Sequence, residues 1–277
     1  MGDLAGRWRE LNKAYWDERV PIHLGAALYD IEEFRARPDS LKDFETAEVG
    51  DVRGKRLIHL QCHFGRDTLS WAARGAQVTG LDFSPPAIEA ASRLATELGM
   101  DARFLTADVY DAASAVGGET FDIVYASFGA LNWLPDISRW ASVVAELLAP
   151  AGFLYLAEFH PFSFVLDDET GSTVTHDYFD EGPEASGGPG TYADEAATTE
   201  NNDTVEWRHS LSTVVSAIAG AGLRIRFLHE HDHTFYLQRQ SLERHDGDVY
   251  RHPAGAPRVP LTYSIRAEKA SPRSPRP

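Results

Sequence analysis

The sequence predicts an α/β fold built on a doubly wound sheet, and three observations support this prediction. From residue 55 onward, short apolar runs alternate with helical patterns, which is typical of parallel strands joined by crossover helices. The first apolar run is followed by a turn that ends at Gly65, where a helical pattern begins. The second run ends on Asp82, where an acid is placed to bind two ribose hydroxyls. The last two features predict a ligand that contains adenosine.

The first five strands are predicted in order at Arg56–Gln61, Gln77–Phe83, Arg103–Asp108, Phe121–Ser127 and Phe153–Phe159. The helix after Asp82 has apolar residues along one face, at Ala87, Ile88, Ala91, Leu94, Ala95 and Leu98. A later helix, Ile137–Leu148, is predicted to be capped by Asp136 and to stop before Pro150. Both helices are expected to pack on the sheet.

Two further strands end the predicted domain. An amphipathic helix with Leu211, Val214, Val215 and Ile218 on one face ends at Gly220 and Gly222. The apolar runs Leu223–His229 and Leu261–Ala267 follow it without a helix between them. Because a parallel pair needs a crossover connection, one of these strands is expected to run antiparallel, in a closing hairpin.

Two segments lie outside the alternation. Residues 1–50 hold a helical pattern that includes Trp8, Tyr15, Trp16, His23 and Tyr29, and we expect a helical cap that either covers the ligand or simply packs on the core. Residues 161–209 form an insertion with twelve acidic residues and one arginine, and we expect a lid near the strand carboxyl ends. Residues 271–277 are expected to be a disordered tail.

Composition narrows the class of protein. The 277 residues fit one domain with added segments. A formal charge of -16 makes nucleic acid an unfavourable partner. There is one cysteine, no apparent secretory signal and no apolar run long enough to span a bilayer, so we expect a soluble cytoplasmic protein without a membrane partner. The sequence is compatible with a homo-oligomer and does not decide between a monomer and an oligomer.

Five motifs occur together in this order: Leu60–Leu69 (LQCHFGRDTL), Leu81–Ser84, Ala107–Tyr110, Trp133–Ile137 and Glu158–Pro161. They resemble motifs of the class I S-adenosylmethionine-dependent methyltransferases, and more narrowly those of a bacterial small-molecule branch with an LQCHFG-type first motif. The resemblance implies a Rossmann-like seven-stranded sheet with the last strand antiparallel, a methyltransferase domain over residues 51–270 and S-adenosylmethionine as the cofactor. It also implies a small-molecule acceptor, preferably a specialised metabolite of natural-product biosynthesis, methylated on oxygen, nitrogen or carbon.

The first motif departs from the usual family turn, in which an acid is followed by three glycines at alternate positions. Here these positions hold His59, Gln61, His63 and Gly65. Either the loop follows another path, or the side chains of Gln61 and His63 hold the cofactor carboxylate. Asp67 is then placed to meet the cofactor amino group.

The resemblance also assigns the other cofactor contacts. Asp82 would bind the ribose hydroxyls, with a turn or helix cap as the alternative, and Asp108 would accept from the adenine amino group, with a strand-end turn as the alternative. Packing in the core is the alternative for the aromatic residues. The full predicted set is Gln61, His63, Gly65, Asp67, Asp82, Phe83, Asp108, Val109, Tyr110, Ser127 and Phe128.

His160 is the predicted general base, because it follows the fifth strand and an imidazole has a pKa close to working pH. Glu158 would share its strand face and orient it. The alternative for His160 is a hydrogen bond to a loop carbonyl or a role in shaping the substrate pocket. The predicted acceptor contacts are Tyr15, Trp16, Asn132, Trp133 and His231.

Three other functions compete with methyl transfer. A nicotinamide-dependent oxidoreductase would use Asp82 equally well, and a non-catalytic protein would bind the adenosyl ligand without turnover. A zinc hydrolase would use the histidines in His229–His233. We expect no metal there, because a strand that leaves a sheet often carries alternating polar residues.

Overall fold

The computed structural model describes residues 5–247 and 249–270. Its strands are β1 Arg56–Leu60, β2 Gln77–Asp82, β3 Ala102–Thr106, β4 Phe121–Ser127, β5 Leu148–Phe159, β6 Glu184–Gly187, β7 Asp203–Glu206, β8 Leu223–His231, β9 His233–Thr234, β10 Glu243–His245, β11 Val249–Arg251 and β12 Thr262–Lys269. Seven of them form one sheet in the order β3-β2-β1-β4-β5-β12-β8. β12 is antiparallel to both β5 and β8, whereas β1 to β5 are parallel. The predicted fold class and the antiparallel last strand are confirmed.

The α-helices are α1 Trp8–Gly25, α2 Ile31–Ala36, α3 Asp43–Val49, α4 Arg66–Ala73, α5 Pro85–Glu97, α6 Ala112–Ala115, α7 Ile137–Leu147 and α8 Leu211–Gly220. Local chemistry explains where the best-marked helices begin. The Ser84 side chain accepts from the backbone N–H of Ala87 at the start of α5, and Asp136 accepts from Arg139 at 2.8 Å at the start of α7. The predicted cap at Asp136 is confirmed.

Buried side chains fill both faces of the sheet. Ile58 and Leu154 belong to a cluster that includes residues of α7 and α8, while the neighbouring residues Leu57 and Tyr155 belong to a second cluster with Trp71 of α4. Successive residues of a strand point to opposite faces, so each strand contributes to both clusters. Burial on both faces is typical of a parallel sheet covered by helices.

The predicted antiparallel pairing of the last two strands is present between β8 and β12, but the connection between them is long. The chain leaves β8 at His231 and returns to β12 at Thr262 through a second insertion, residues 232–261, which contains the small antiparallel sheet β10-β11-β9. Asp232 lies at its base, and its carboxylate is 2.5 Å from the guanidinium groups of both Arg251 and Arg258. These strands have two or three residues each, too few for a period-two pattern to be visible in the sequence.

The cap helix α1 and the first insertion contact each other directly. The Asn12 side chain donates to the Val205 carbonyl at 2.7 Å and accepts from its N–H at 2.9 Å. Arg19, fully buried, donates to the Asn201 carbonyl at 2.8 Å. The Glu18 carboxylate accepts from two backbone N–H groups of the same loop, each at 2.7 Å. We call α1 and residues 187–206 together the cover. The predicted tail at 271–277 lies outside the described residues.

Candidate functional site

A cavity, here called the inner cavity, lies at the carboxyl ends of β1 to β4. The ends of these strands and the loops after them contribute Gln61, Asp82, Asp108 and Ser127 to its lining, and α1 contributes Trp8, Asn12 and Trp16. In an open α/β sheet, this edge is where ligands bind. Ten of the eleven predicted cofactor residues line this cavity, namely Gln61, His63, Gly65, Asp67, Asp82, Phe83, Asp108, Val109, Ser127 and Phe128.

The turn after β1 has left-handed backbone conformations at all three positions where the family has glycine. The φ angles are 56° at Gln61, 51° at His63 and 79° at Gly65. Residues other than glycine rarely adopt positive φ angles, so the backbone is strained at Gln61 and His63. A Cβ atom at Gly65 would lie 2.8 Å from Phe104 and 2.9 Å from Ala91, so this position requires glycine. The loop therefore keeps backbone conformations that favour glycine, although two of the three positions carry side chains.

Gln61 presents an unused hydrogen-bonding atom to the inner cavity. Its amide nitrogen donates to the Ala130 carbonyl at 2.8 Å, which fixes the amide plane. Its Oε1 atom is buried and has no partner. A buried acceptor without a partner costs free energy, so it is placed to accept from a bound ligand.

Asp82 combines the two roles that the sequence left open. Its buried carboxylate accepts from the N–H groups of His63 and Ser84, each at 2.9 Å, and so fixes the turns after β1 and β2. It also lines the inner cavity. Burial raises the pKa of Asp82 to about 6, although the backbone hydrogen bonds favour the charged form.

The third strand ends at a turn that holds Asp108 in place. Its carboxylate accepts from the N–H of Tyr110 at 2.9 Å and lies 2.5 Å from the guanidinium of Arg9 on α1. Tyr110 is the predicted cofactor residue that does not line the inner cavity. Its hydroxyl donates to the Asp136 carbonyl at 3.1 Å and accepts from the Asp136 N–H at 2.9 Å, so it anchors the start of α7.

A larger outer cavity adjoins the inner one. Its volume is about 1410 Å³, and α2, α3 and both insertions contribute to its lining. Eight residues line both cavities and define what we call the passage: Trp16, Tyr29, Arg66, Asp67, Phe128, Gly129, Trp133 and Tyr192. Within the passage, the Asp67 carboxylate accepts from the hydroxyls of Ser40 and Ser127 at 2.5 and 3.2 Å.

One wall of the outer cavity is aromatic. The ring centroids of Phe128 and Phe159 lie 5.4 Å apart, those of Phe128 and Phe235 5.3 Å apart, and those of Phe159 and Tyr236 5.1 Å apart. We call these four residues the aromatic wall. It joins two strand ends of the core to the second insertion, and it suits a flat apolar ligand.

The outer cavity also contains a polar pair. The Asn132 amide nitrogen donates to the Glu206 carboxylate at 2.9 Å, and the Asn132 Oδ1 atom is buried without a partner. Burial raises the pKa of Glu206. Four residues that line the outer cavity were not predicted, because they lie in the insertions. The strand pattern does not indicate where the insertions lie relative to the sheet. These residues are Glu206, Tyr192, Phe235 and Tyr236.

The predicted catalytic pair needs correction. Glu158 does not orient His160, because its carboxylate accepts from the N–H groups of Gly129, Ala130 and Leu131 at 2.7, 2.6 and 2.9 Å and so shapes the loop after β4. Burial raises its pKa.

His160 is buried and lines neither the inner nor the outer cavity. Its Nδ1 atom accepts from the Phe162 N–H at 3.1 Å, and its Nε2 atom lies 3.0 Å from the Glu230 carboxylate. Burial lowers its pKa, against the effect of Glu230. His160 thus holds a loop, but it accepts from a backbone N–H and does not bond the loop carbonyl named in the alternative.

Four of the five predicted acceptor contacts line the outer cavity: Tyr15, Trp16, Asn132 and Trp133. His231 lines neither cavity, and its ring packs against Phe44 at a centroid distance of 4.4 Å. His229 lies 2.6 Å from the Glu48 carboxylate. Over residues 5–247 and 249–270, no group of three or more His, Cys, Asp or Glu side chains is arranged to hold a metal ion. In the same part of the chain, no helix has both the length and the apolar character of a membrane span.

Comparison with known proteins agrees with this architecture. Residues 58–154 match a family described as a methyltransferase domain. A demethylmenaquinone methyltransferase of Thermus thermophilus is 36% identical over 109 residues, which cover 39% of this chain and 48% of the relative. A ubiquinone biosynthesis O-methyltransferase of Aromatoleum aromaticum is 33% identical over 154 residues, which cover 54% of this chain and 59% of the relative. The alignments thus span about half of each curated relative.

Solved structures extend the similarity to the fold. An S-adenosylmethionine-dependent methyltransferase from Mesorhizobium loti superposes with a TM-score of 0.56 at 21% identity, covering 80% of this chain and 94% of that one. The glycopeptide N-methyltransferase MtfA, complexed with S-adenosylmethionine, superposes with a TM-score of 0.53 at 17% identity, covering 83% of this chain and 92% of that one. The fold is that of the S-adenosylmethionine-dependent methyltransferases.

Proposed function

We propose that this protein is an enzyme that transfers the methyl group of S-adenosylmethionine to a small molecule. The observation that carries the proposal is the pair of adjoining cavities, one lined by Asp82 at the carboxyl edge of the sheet and the other bounded by the aromatic wall. Two separate ligands that react with each other need this arrangement. The matches to methyltransferases support the same conclusion.

The residues of the inner cavity fit the proposed cofactor. Asp82 would accept from the ribose hydroxyls, Asp108 from the adenine amino group, and the unpartnered Oε1 atom of Gln61 from the ammonium of the methionine part. The cofactor supplies an electrophilic methyl group on a positively charged sulfur. The protein then has to align the acceptor and exclude water, which the cover favours by closing the cavity.

For the acceptor we propose a flat ring compound that carries a hydroxyl or amino group. The aromatic wall would contact the ring, and Asn132 with Glu206 would bind a polar substituent. The curated relatives are named for quinone biosynthesis, and acceptors of this type also occur among specialised metabolites. We place the reaction in the cytoplasm, in keeping with the single buried cysteine.

Calorimetric titration with S-adenosylhomocysteine tests the proposed cofactor. We expect micromolar binding by the wild type and at least tenfold weaker binding by Asp82→Asn, in which one acceptor oxygen becomes a donor. Asp122→Asn is the matched control, because Asp122 lies at the amino end of β4 and pairs with Arg56. Binding of NADH in place of S-adenosylhomocysteine would favour an oxidoreductase and contradict the proposal.

Turnover distinguishes an enzyme from a protein that only binds the cofactor. S-adenosylmethionine is incubated with a panel of phenols, catechols and aromatic amines, and formation of S-adenosylhomocysteine is measured. We expect product with at least one ring acceptor and a lower rate with Glu206→Gln. Cofactor binding without product for any acceptor class would favour the non-catalytic alternative.

A further inference from the structure

The passage between the two cavities is predominantly aromatic. Five of its eight residues carry rings, namely Trp16, Tyr29, Phe128, Trp133 and Tyr192. If the cofactor occupies the inner cavity and the acceptor the outer one, the reactive sulfur has to lie where the cavities meet. The surroundings of that sulfur are therefore set by these rings.

Two of the rings form a corner. The centroids of Trp16 and Trp133 lie 5.3 Å apart, and their planes are 84° apart. Both rings line the passage, and the face of an aromatic ring carries the negative part of its quadrupole. The ring centroid of His63 lies 5.4 Å from that of Trp16, and the centroid of Tyr15 lies 6.1 Å from that of Trp133. The rings of the corner therefore pack against neighbouring rings.

Rings in and around the cover already bind cations within this molecule. The Arg19 guanidinium lies 3.3 Å from the centroid of Tyr15, and that of Arg66 lies 5.5 Å from Tyr29. The formal charges of the passage itself are those of Arg66 and Asp67, which are opposite in sign. Any preference of the passage for a cation thus depends strongly on the rings.

We propose that Trp16 and Trp133 form a cation-binding site for the sulfonium group of the cofactor. This inference rests on the proposed function. In methyl transfer, an electron pair of the acceptor forms the new bond to the methyl carbon, while the electrons of the C–S bond return to sulfur and leave a neutral thioether. The proton of the acceptor's hydroxyl or amino group is released to solvent. The attraction to the rings therefore ends with the reaction. The corner favours binding of the substrate form of the cofactor over the product form.

Calorimetry with two probes tests the inference without knowledge of the acceptor. Dissociation constants are measured for S-adenosylmethionine, which is charged at sulfur, and for S-adenosylhomocysteine, which is not. In Trp16→Leu and Trp133→Leu we expect the preference for the charged form to fall about fivefold relative to the wild type. Trp133→Phe keeps a ring and is expected to retain the preference within about twofold.

Trp8→Leu is the matched control, since Trp8 lines the inner cavity but not the outer one. It is expected to weaken both ligands by the same factor. Circular dichroism melting confirms folding, and Trp133→Met replaces Trp133→Leu if that variant does not fold. An unchanged preference in the folded Trp16 and Trp133 variants would overturn the inference and leave the proposed function intact. Failure of the wild type to bind either probe would overturn both.

Discussion

At the scale of single residues, the site depends on polar groups that serve the backbone and a ligand together. Asp82 fixes two turns through its carboxylate and still lines the inner cavity. Gln61 is held by one end of its amide, while the other end has no partner. Because these groups are positioned before a ligand arrives, binding requires little further ordering of side chains.

The pKa of Asp82 predicts how cofactor binding depends on pH. Burial raises this pKa to about 6, so the carboxylate that we propose accepts from the ribose hydroxyls is lost as pH falls below 6. We expect the affinity for S-adenosylhomocysteine to fall about tenfold between pH 7.5 and pH 5, because about nine in ten molecules are then protonated at Asp82. Calorimetry at the two pH values measures this change.

Neighbouring histidines are not expected to obscure the effect. Burial disfavours the charged forms of both rings, because it lowers the pKa of His23 to about 4 and that of His63 well below its ordinary value. The weak affinity of Asp82→Asn should change little over the same interval. Equal wild-type affinity at pH 5 and pH 7.5 would contradict a role for the Asp82 carboxylate in binding.

At the scale of elements, the predicted β1, β2 and β4 and the capped helix α7 agree closely with the structure, because each combines a long apolar run or stripe with a clear end signal. β5 begins at Leu148, five residues before its predicted start at Phe153, since α7 passes into it without a loop. The short strands of both insertions were missed. They pair through backbone groups among polar residues, which leaves no periodic pattern.

Arg19 is predicted to hold the cover together. It is fully buried, and in addition to the Asn201 carbonyl it contacts Thr199 and Asn202 of the first insertion. We expect Arg19→Leu to leave the Asn201 carbonyl without its donor, to remove one donor each from Thr199 and Asn202, and to increase amide hydrogen exchange at residues 199–205 at least tenfold. Hydrogen exchange measured by mass spectrometry checks this, with β4 as the internal reference.

Lys13→Leu provides the control for that variant. Lys13 lies on the same helix, but its partner is Asp17, one turn away on α1. It is therefore expected to leave exchange in the insertion unchanged. Equal exchange of residues 199–205 in Arg19→Leu and the wild type would show that other contacts hold the insertion.

A buried acid on α3 is predicted to make stability depend on pH. Glu45 accepts from the Tyr125 hydroxyl at 2.6 Å, and burial raises its pKa to about 7. A raised carboxyl pKa means that the folded state binds the proton more tightly, so stability is lost as pH rises from about 4.5 to 7. This group is expected to lower the free energy of unfolding by about 2 to 3 kcal/mol between pH 5 and pH 8.

Glu45→Gln tests this contribution by urea unfolding at both pH values. The glutamine oxygen can still accept from Tyr125, and any loss at the Lys42 N–H, which bonds the second oxygen, is the same at pH 5 and pH 8. The wild type should therefore lose more stability than the variant on going to pH 8. If the free energy of unfolding changes equally with pH in the two proteins, the group that ionises is not Glu45.

At the scale of the whole molecule, the sequence indicates the sheet and the edge that carries the inner cavity, but not which added segments line the outer cavity. Parallel strands with short connections restrict the core to few topologies, so the carboxyl ends and their residues can be inferred. The first insertion, the second insertion and the cap meet through contacts such as that between Asn12 and Val205, 193 positions apart. No local pattern encodes a contact at that separation.

Those long-range contacts lead to a prediction for the complete protein. α1 lines the inner cavity through Trp8, Asn12 and Trp16, and its other contacts hold residues 199–205 of the insertion. S-adenosylhomocysteine in the inner cavity should therefore stabilise α1 directly and the insertion through α1. At about one hundred times its dissociation constant, it should raise the free energy of unfolding by about 2.7 kcal/mol.

Hydrogen exchange with and without S-adenosylhomocysteine distinguishes a coupled cover from a rigid one. We expect α1 and residues 199–205 to gain protection together, and the gain in residues 199–205 to decrease in Arg19→Leu while that in β2 remains. The variant separates the two causes of protection, because Arg19 contacts the insertion but does not line the inner cavity. Protection confined to α1 and the strand ends in the wild type would show that the insertion is ordered independently of the ligand.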